Sequence, residues 1–538
     1  MNLASLISEH PERSRALFDG RDWTSWGDLR SRVVRFSLAL RDAGVEEDDR
    51  VAIALPTSVD FVVAYLATLG IGAIAVPLNP NAPPAELQAE LDTTEPRLLV
   101  AGGRALERAG ELDLASAPAK TANTTKTPND EAPPKTVLVE APLTKANGFS
   151  QSNQSSDSDQ SDQSNESSQS KQFERFEQFE PVPRKEGDTA VLLFTSGTAG
   201  LPKAAMLTHG NLVSNIRQML AVPGEMVRAD DVALTAVPLF HVFGLNVALG
   251  LVLATGAALV LEERFDPAQS LSRVEDLGVT LLFGAPEMYL AWARIDWEPR
   301  DGLHSVRRAV SGAAALEGEI SAAFEKRYGV SLWQGYGLTE ASPAVSTSVG
   351  TGRNDPGSVG RPLPGVSVRL VDDGEDALVG DPGEILVKGP NVFPGYWRDE
   401  RATAEVLTSD GWLRTGDVGV WSEQGDLHIV DRTKDLVIVS GFNVYPGEVE
   451  RCLLAHPDVA EAAVVGRDDH VTGEAVEAYV VLKAGSDATE AAISEHCVSR
   501  LARYKCPSTV VFLDELPRGL AGKALRRALR ERGQSERR

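Results

Sequence analysis

Apolar and polar residues alternate along this chain in short blocks that predict strands and helices in turn. Residues 49–56 are typical of a buried strand, and residues 60–69 have the composition of a buried helix that follows it. The same alternation resumes at residue 188 and continues to about residue 430. Repeated units of this kind predict an α/β fold with buried strands and helices.

Between roughly residues 102 and 186 this pattern collapses. Residues 150–170 are almost entirely Ser, Gln, Asn and Asp, and the residues before them are rich in Pro and Thr. Such a segment has too little apolar surface to offset the entropy of ordering it. We predict a disordered surface insertion, for which a regulatory or partner-binding tether is the functional alternative.

Composition adds limits on size and location. The 538 residues exceed what one hydrophobic core usually supports, which predicts two or more domains. Three cysteines without a Cys-x-x-Cys pair favour a reducing compartment over a disulfide framework or a structural zinc site. The N-terminus lacks the pattern of a signal peptide, and the apolar stretches 51–78 and 232–261 are too interrupted to span a membrane. We expect a cytoplasmic protein with no transmembrane segment.

The segment FTSGTAGLPK, residues 194–203, follows an apolar run and has the composition of a phosphate-binding loop. Its glycines let backbone N–H groups approach phosphate oxygens, its hydroxyls add donors and its lysine adds a positive charge. A Walker A loop does not fit, because Pro202 precedes the lysine and Ala204 follows it where that motif has Gly-Lys-Ser/Thr. The remaining alternative is an ordinary polar turn between a strand and a helix.

Further segments of the same character follow in order along the chain. They are QGYGLTE (334–340), GWLRTGD (411–417), DRTKD (431–435) with SGFNVYP (440–446), and PRGLAGK (517–523). In order and spacing, the whole set resembles the adenylate-forming superfamily of acyl-CoA synthetases, aryl-CoA ligases, firefly-type luciferases and peptide-synthetase adenylation domains. The resemblance spans nearly all of the chain. It departs from the family at Ala199, at Ala204 and at Gly519-Leu520, where other residues are commoner.

The resemblance implies an α/β fold with a large N-terminal domain of stacked sheets and a small β-barrel part over residues 1–430. A smaller, mobile α+β domain would cover residues 431–538, and the two would close over the active site in one pose for each half-reaction. It also implies an acid–thiol ligase that activates a carboxylic acid as acyl-AMP, releases pyrophosphate and transfers the acyl group to coenzyme A. Adenylation brings two anions together, so it needs cations, Mg²⁺ on the phosphates and a rigid grip on the nucleotide.

The resemblance also assigns roles around the nucleotide. Tyr336 would stack on adenine, Asp417 would accept hydrogen bonds from the ribose hydroxyls, and Arg432 would add a charged donor there. Glu340 would bind Mg²⁺ through its hard oxygens, and Thr339 would donate to phosphate. The expected cofactor-binding residues are Thr195, Ser196, Gly197, Thr198, Lys203, Gly312, Ala313, Gly335, Tyr336, Gly337, Thr339, Asp417, Arg432, Lys434, Gly441 and Lys523, with Glu340 and Thr195 as metal ligands.

Two residues are expected to act on the acid itself. Lys523 would reach the carboxylate and the α-phosphate during adenylation and withdraw afterwards; the alternative is a solvated lysine before a basic helix over residues 524–532. His241 would lie by the acyl pocket and orient the carboxylate, whereas a lone histidine amid apolar residues is often a satisfied core residue. Gly441 would border the pantetheine channel, where a side chain would obstruct the path.

The formal net charge of −24 opposes polyanions at long range, although salt shortens that range to about 8 Å. Cations near the site must therefore hold ATP and coenzyme A, and the same charge argues against a nucleic-acid partner. Basic residues do cluster in the last quarter of the chain: Arg432, Lys434, Lys505, Lys523, Arg526 and Arg527.

The segments expected near the acid, residues 240–249, 283–289 and 341–348, are apolar or small and argue against an amino-acid substrate. The SGFNVYP loop looks more like that of fatty acyl-CoA ligases than of aryl ones. We predict a medium- to long-chain fatty acid, with peripheral membrane contact and the oligomeric state left open. A carrier-protein ligase, an aryl-CoA ligase and a luciferase-like oxygenase are alternatives. A non-enzymatic binding protein would lack Lys523, Glu340 or Asp417, and all three are present.

Overall fold

A computed structural model describes residues 1–102, 105, 107, 137–140, 179–195, 203–296, 303–352, 355, 357–372, 374–432, 437–439, 442–444, 446–469, 473–501, 503–518 and 526–535. The strands are β1 Arg15–Phe18, β2 Trp23–Ser25, β3 Arg50–Ala54, β4 Ile74–Pro77, β5 Leu98–Ala101, β6 Val137–Glu140, β7 Thr189–Thr195, β8 Lys203–Thr208, β9 Val232–Thr235, β10 Ala258–Leu261, β11 Leu281–Gly284, β12 Arg308–Ser311, β13 Leu332–Gly337, β14 Ala344–Thr347, β15 Ser358–Pro362, β16 Ser367–Asp372, β17 Glu375–Asp376, β18 Gly383–Lys388, β19 Leu413–Trp421, β20 Leu427–Arg432, β21 Val437–Val439, β22 Phe442–Val444, β23 Val459–Asp469, β24 Gly473–Leu482 and β25 Thr509–Phe512. The helices are α1 Trp26–Asp42, α2 Val59–Gly70, α3 Pro84–Thr94, α4 His209–Leu220, α5 Gly250–Thr255, α6 Pro267–Leu277, α7 Pro286–Arg294, α8 Gly318–Tyr328, α9 Glu400–Val406, α10 Pro446–Leu454, α11 Glu490–Val498 and α12 Arg526–Ser535.

The largest sheet has the strand order β17-β16-β18-β19-β20-β15-β14-β13-β12-β11-β9-β10-β1-β2. From β13 to β1 the neighbouring strands are parallel, with α6, α7 and α8 in the connections between them. From β14 to β17 the pairing is antiparallel. Parallel strands end at the same edge of a sheet, so β11, β12 and β13 place the residues that follow them side by side.

A second sheet has the order β6-β5-β3-β4-β7-β8. The predicted strand at 49–56 and helix at 60–69 correspond to β3 and α2, which confirms that reading. Helix α2 is buried along nearly its whole length, which explains why it carries apolar residues on every face. In the described part of the chain, no helix is long and apolar enough to cross a membrane.

Strand β6 corrects the predicted insertion. It lies within residues 102–186 and pairs in parallel with β5, from Leu98 opposite Val137 to Ala101 opposite Glu140. The Val-Leu-Val run supplies β-forming residues, but four residues amid a Pro- and Thr-rich sequence gave too short a signal. The insertion also ends earlier than predicted, because Phe179 packs on the main core and Val182 N donates to Gly70 O. Most of the remainder, 150–170 included, lies outside the described residues.

The C-terminal region has its own sheet, ordered β22-β21-β24-β23, with β25 beside β24. Its core residues begin at Val437, after β20 has ended in the large sheet at Arg432. A mixed α/β arrangement with a large N-terminal sheet region and a smaller C-terminal region confirms the predicted fold class.

Candidate active site

Thr195 and Lys203 face each other as the last residue pair between the antiparallel strands β7 and β8. Strand β8 continues to Thr208, whose hydroxyl caps the start of α4. The predicted loop therefore joins two strands and does not lead directly into a helix, while its phosphate-binding role stays a prediction. The sequence reading missed β8 because Ala204 and Ala205, which are buried, do not favour a strand by themselves. Ser196, Gly197 and Thr198 lie outside the described residues.

The ammonium group of Lys203 lies 5.2 Å from the ring centre of Tyr396. Backbone bonds attach this tyrosine's segment to β8: Met206 N donates to Gly395 O at 3.0 Å, and Trp397 N donates to Ala204 O at 2.8 Å. The edge of β8 therefore fixes both the lysine and the aromatic ring beside it.

The hydroxyl of Tyr396 donates a hydrogen bond to Glu340 Oε1 at 2.6 Å. Burial and the adjacent Glu340 carboxylate both raise the pKa of Tyr396, so the phenol keeps its proton and remains the donor. Glu340 also accepts at its backbone oxygen from Phe393 N, at 2.9 Å. Tyr396 thus connects two residues predicted from separate motifs, Lys203 and Glu340. The sequence analysis missed it, because a Gly-Tyr pair in a loop carries no chemical signal alone.

The turn that presents Glu340 depends on the glycine at the end of β13. A Cβ atom on Gly337 would lie against the carbonyl oxygen of Pro343, well inside van der Waals contact, whereas one on Gly335 would be 3.4 Å from Ser346 O. Leu338 N donates to Pro343 O at 3.1 Å, so the chain doubles back on itself here. Gly337 is therefore required by backbone packing within the turn that holds Thr339 and Glu340.

The predicted adenine and ribose residues are in direct contact. Tyr336, on β13, donates from its hydroxyl to Asp417 Oδ2 at 2.7 Å, and Asp417, on β19, is only 7% exposed. Asp417 lies opposite Arg432 in the β19–β20 pair, while the side chain of Arg432 lies outside the described part. Tyr336 is half-buried at the surface of the core.

His241 is exposed, two residues before the π-helical segment Phe243–Leu249, so the alternative of a satisfied core histidine is wrong. Its neighbour Phe243 packs on the glycine after β12: a Cβ on Gly312 would be 3.0 Å from the Phe243 ring. Ala313 follows with φ of 69°, a left-handed conformation that is uncommon for alanine. Phe243 N donates to His241 Nδ1 at 3.4 Å, so Phe243 contacts the histidine through its backbone and lies beside Gly312 through its ring.

Asn246 is a buried residue of this segment that the sequence analysis missed. Its amide nitrogen donates to Ser342 O at 2.7 Å and to Leu212 O at 3.2 Å. It therefore ties the His241 segment to the turn that carries Glu340. The sequence signal that could have identified it is an asparagine within an apolar run, since such a side chain needs hydrogen-bond partners when it is buried.

A magnesium ion bound with a nucleotide takes one or two protein carboxylates and fills its other positions with phosphate oxygens and water. The described residues contain no group of three His, Cys, Asp or Glu side chains that would form a protein cage for a metal. A single carboxylate such as Glu340 is compatible with the nucleotide-linked kind of site, and its role as a metal ligand stays a prediction. The hydroxyl of Thr195, the second predicted ligand, donates at 3.5 Å to Lys203 O.

The C-terminal predictions fall mainly on Lys434, Gly441 and Lys523, which lie outside the described residues. Two of the clustered cations are engaged within the domain. Lys505 Nζ lies 2.7 Å from both carboxylate oxygens of Glu448, and Arg526 Nη2 lies within 2.9 Å of both oxygens of Glu450. These two side chains are held by carboxylates in this structure.

The chain is similar to known proteins over nearly its whole length. A family model for the AMP-binding enzyme matches residues 5–397, and one for the AMP-binding enzyme C-terminal domain matches residues 448–523. The chain is 34% identical to a long-chain-fatty-acid–CoA ligase of Bacillus subtilis over 98% of this chain and 93% of the relative. It is 35% identical to a feruloyl-CoA synthase of Amycolatopsis over 94% of each. A solved structure of ATP-bound MatB from Rhodopseudomonas palustris superposes with a TM-score of 0.86 at 31% identity, covering 100% of this chain and 99% of that one.

The chain belongs to the AMP-binding enzyme family, so the predicted adenylate-forming class is confirmed. Within that family it is an AMP-forming acid–thiol ligase of the acyl-CoA synthetase branch. ATP and coenzyme A are the co-substrates of that class, whereas the acids named for its relatives differ between fatty and aromatic.

Proposed function

We propose that this protein joins a medium- to long-chain fatty acid to coenzyme A through an acyl-adenylate. The observation that carries the proposal is the arrangement of two hydrogen bonds around β13. Tyr336, near the end of this strand, is hydrogen-bonded to Asp417, and Glu340, just after the strand, is hydrogen-bonded to Tyr396. The nucleoside of a nucleotide bound along the end of this strand would contact the ring of Tyr336 and the carboxylate of Asp417. Its phosphates would then lie near the carboxylate of Glu340 and near Lys203.

In the first half-reaction, the carboxylate of the acid attacks the α-phosphorus of ATP, and the bond to pyrophosphate breaks. Asp417, held in place by Tyr336, would fix the ribose and so the direction of attack. Lys203 and Lys523 would offset the charge that gathers on the phosphates, and Thr339 would add a hydroxyl donor. Magnesium, when bound at Glu340, supplies charge neutralisation on the phosphate oxygens.

In the second half-reaction, the thiolate of coenzyme A attacks the carbonyl carbon of the acyl-adenylate, and AMP leaves. We propose that residues 431–538 form the domain that rearranges for this step, with Gly441 beside the pantetheine arm. Support comes from the separate hydrophobic core after Val437. His241, exposed and next to the Phe243–Gly312 contact, would orient the acid carboxylate.

The fatty acid is favoured by the apolar segment around Phe243 and by the fatty-acid ligase among the relatives. An aromatic acid is the second candidate, because the feruloyl-CoA synthase is equally similar. We further propose a cytoplasmic location, supported by Cys452, Cys497 and Cys506, all of which are free thiols.

The test is coenzyme A thioester formation by the purified protein with ATP and Mg²⁺ over a panel of C2 to C20 fatty acids, cinnamate, ferulate, benzoate and amino acids. A peak within the medium to long fatty acids supports the proposal, and a peak on cinnamate or ferulate replaces it with the aromatic alternative. Pyrophosphate release without a thioester would point to another acceptor, such as a carrier protein. An oxygen-consumption measurement separates the luciferase-like alternative.

A further inference from the structure

We propose that Glu450 is a positioning residue for adenylation, because its ion pair with Arg526 fixes the chain next to Lys523. The inference rests on the proposed function, in which Lys523 acts in the first half-reaction. Lys523 itself lies outside the described residues, but Arg526 is only three residues further along the chain. Whatever holds Arg526 therefore limits where the lysine can reach.

The Glu450–Arg526 pair is well enclosed. Arg526 Nη2 lies 2.9 Å from Oε1 and 2.8 Å from Oε2 of Glu450, and the two side chains are 22% and 17% exposed. Oε1 also accepts a hydrogen bond from Val464 N at 2.8 Å, which fixes the carboxylate to β23. Disrupting a partly buried ion pair that also has a backbone hydrogen bond costs more free energy than disrupting an exposed pair, because the remaining charge is left without a partner.

A second contact keeps helix α12 in place behind the ion pair. Leu529 is fully buried with Tyr479 and Leu516, and the Tyr479 hydroxyl donates to Leu529 O at 3.1 Å. The helix is therefore docked by its apolar side, and Arg526 at its first position is directed to Glu450. Removing the charge of Glu450 alone should loosen the first turn while Leu529 keeps the helix attached.

The other flank of residues 519–525 provides a natural comparison. Arg518 pairs with Glu461 at 2.7 Å, but these side chains are 45% and 39% exposed. Exposed ion pairs contribute little, because solvent screens them and both side chains lose freedom on pairing. Both flanks are Arg–Glu pairs, but the Glu450 pair is less exposed and its carboxylate also accepts from Val464 N, so Glu461 is the more exposed control for Glu450.

The test compares Glu450→Gln with Glu461→Gln in the full-length protein. Glutamine keeps an oxygen for Val464 N and removes only the charge. ATP–pyrophosphate exchange measures adenylation, and thioester formation from supplied acyl-adenylate measures the second step. We expect Glu450→Gln to lower exchange by about tenfold, as a displaced catalytic group does, with thioester formation within twofold of wild type. Glu461→Gln should leave both within twofold.

Two further variants separate positioning from general destabilisation. In a Lys523→Ala background, Glu450→Gln should cause no further loss of exchange, because the residue it positions is already gone. Arg526→Lys should restore part of the exchange that Arg526→Gln loses. Equal loss of both half-reactions, or an additive loss in the double variant, would overturn the inference. Absence of exchange in the wild type would instead reject the proposed function.

Discussion

Tyr396 donates its hydroxyl proton to Glu340 across a distance of 2.6 Å, although 55 residues separate them in sequence. The same ring lies 5.2 Å from the ammonium group of Lys203. One tyrosine therefore orients the predicted metal ligand on one side and contacts the predicted phosphate cation on the other. This arrangement brings residues from two separate motifs into contact with one ring.

Replacing Tyr396 by Phe should remove the donor and keep the ring beside Lys203. Hydrogen bonds to charged groups contribute about 1.5–3 kcal/mol, so we expect adenylation to fall by tenfold or more. The Mg²⁺ concentration for half-maximal exchange should rise, because Glu340 loses its fixed orientation. A Mg²⁺ titration of ATP–pyrophosphate exchange measures both effects.

Tyr328→Phe is the control for this variant. Its hydroxyl donates at 2.7 Å to the backbone oxygen of Trp292, away from the predicted nucleotide residues. We expect a shift in thermal unfolding with an unchanged Mg²⁺ requirement. If Tyr396→Phe also left the Mg²⁺ requirement unchanged, the tyrosine would have no part in holding Glu340.

Tyr336→Phe tests the contact between the predicted adenine and ribose residues. The variant keeps an aromatic ring but removes the 2.7 Å bond to Asp417. We expect the KM for ATP to rise by about fivefold, in line with one lost hydrogen bond, while the KM for the acid stays the same. Asp417→Asn should have a larger effect, since it also removes the negative charge that we propose accepts hydrogen bonds from the ribose hydroxyls. Equal KM values for ATP in all three proteins would contradict this role.

Gly337→Ala and Gly335→Ala compare two glycines of one motif. A Cβ on Gly337 collides with the Pro343 carbonyl, whereas one on Gly335 meets Ser346 O at an ordinary 3.4 Å. We expect Gly337→Ala to lower the thermal unfolding temperature by several degrees, in the range of about 1–3 kcal/mol for overpacking, and to reduce adenylation by displacing Glu340. Gly335→Ala should be tolerated in the absence of ligand. If Gly335→Ala kept its unfolding temperature without ligand but lost adenylation, this glycine would be needed for nucleotide binding.

Sequence reasoning reached strand β3, helix α2 and the fold class, and it named Tyr336 and Asp417 from their motifs, because local patterns and motif spacing carry that information. It did not reach Tyr396 or Asn246. Their importance comes from partners distant in the chain, Glu340 and Ser342, and only the folded backbone brings those together. The same holds for strand β6, whose stability depends on pairing with β5 more than on its own four residues.

His209 predicts how stability depends on pH. It is fully buried, Leu3 N donates to its Nδ1 at 3.1 Å, and burial lowers its pKa to about 4, helped by Arg184 and the N-terminal amine and opposed by Asp188. In the unfolded chain this histidine has a pKa of about 6.5. Its contribution to the free energy of unfolding is therefore present above pH 6.5 and is lost as the pH falls toward 4. We expect the protonation of this histidine in the unfolded chain to lower the free energy of unfolding by about 2 kcal/mol between pH 7 and pH 5.

Urea unfolding of wild type and His209→Asn at the two pH values measures this contribution. Asparagine offers an acceptor for Leu3 N without a titrating ring, so the variant should lose less stability on acidification. The difference between the two pH slopes isolates the histidine from other groups. Identical slopes would mean that folding does not lower the pKa of His209.

Strand β6 divides the predicted insertion into parts with different expected effects on deletion. Replacing residues 141–172 by a Gly/Ser linker of about 12 residues keeps β6, so turnover and thermal unfolding should match the wild type. Deleting residues 121–172 removes β6 and uncovers β5, whose residues Leu98–Ala101 are all buried. An uncovered apolar edge pairs with other chains, so we expect a lower unfolding temperature and aggregation measured by light scattering.

These two deletions also separate the structural role of the insertion from a functional one. Because β5 lies beside β3, on the opposite side of β3 from β4 and β7, loss of β6 should not reach Thr195 directly. The soluble fraction of the larger deletion should therefore retain most of its turnover per molecule. Loss of turnover in the folded 141–172 replacement would identify that segment as a functional tether, since neither β6 nor the edge of β5 is altered in that variant.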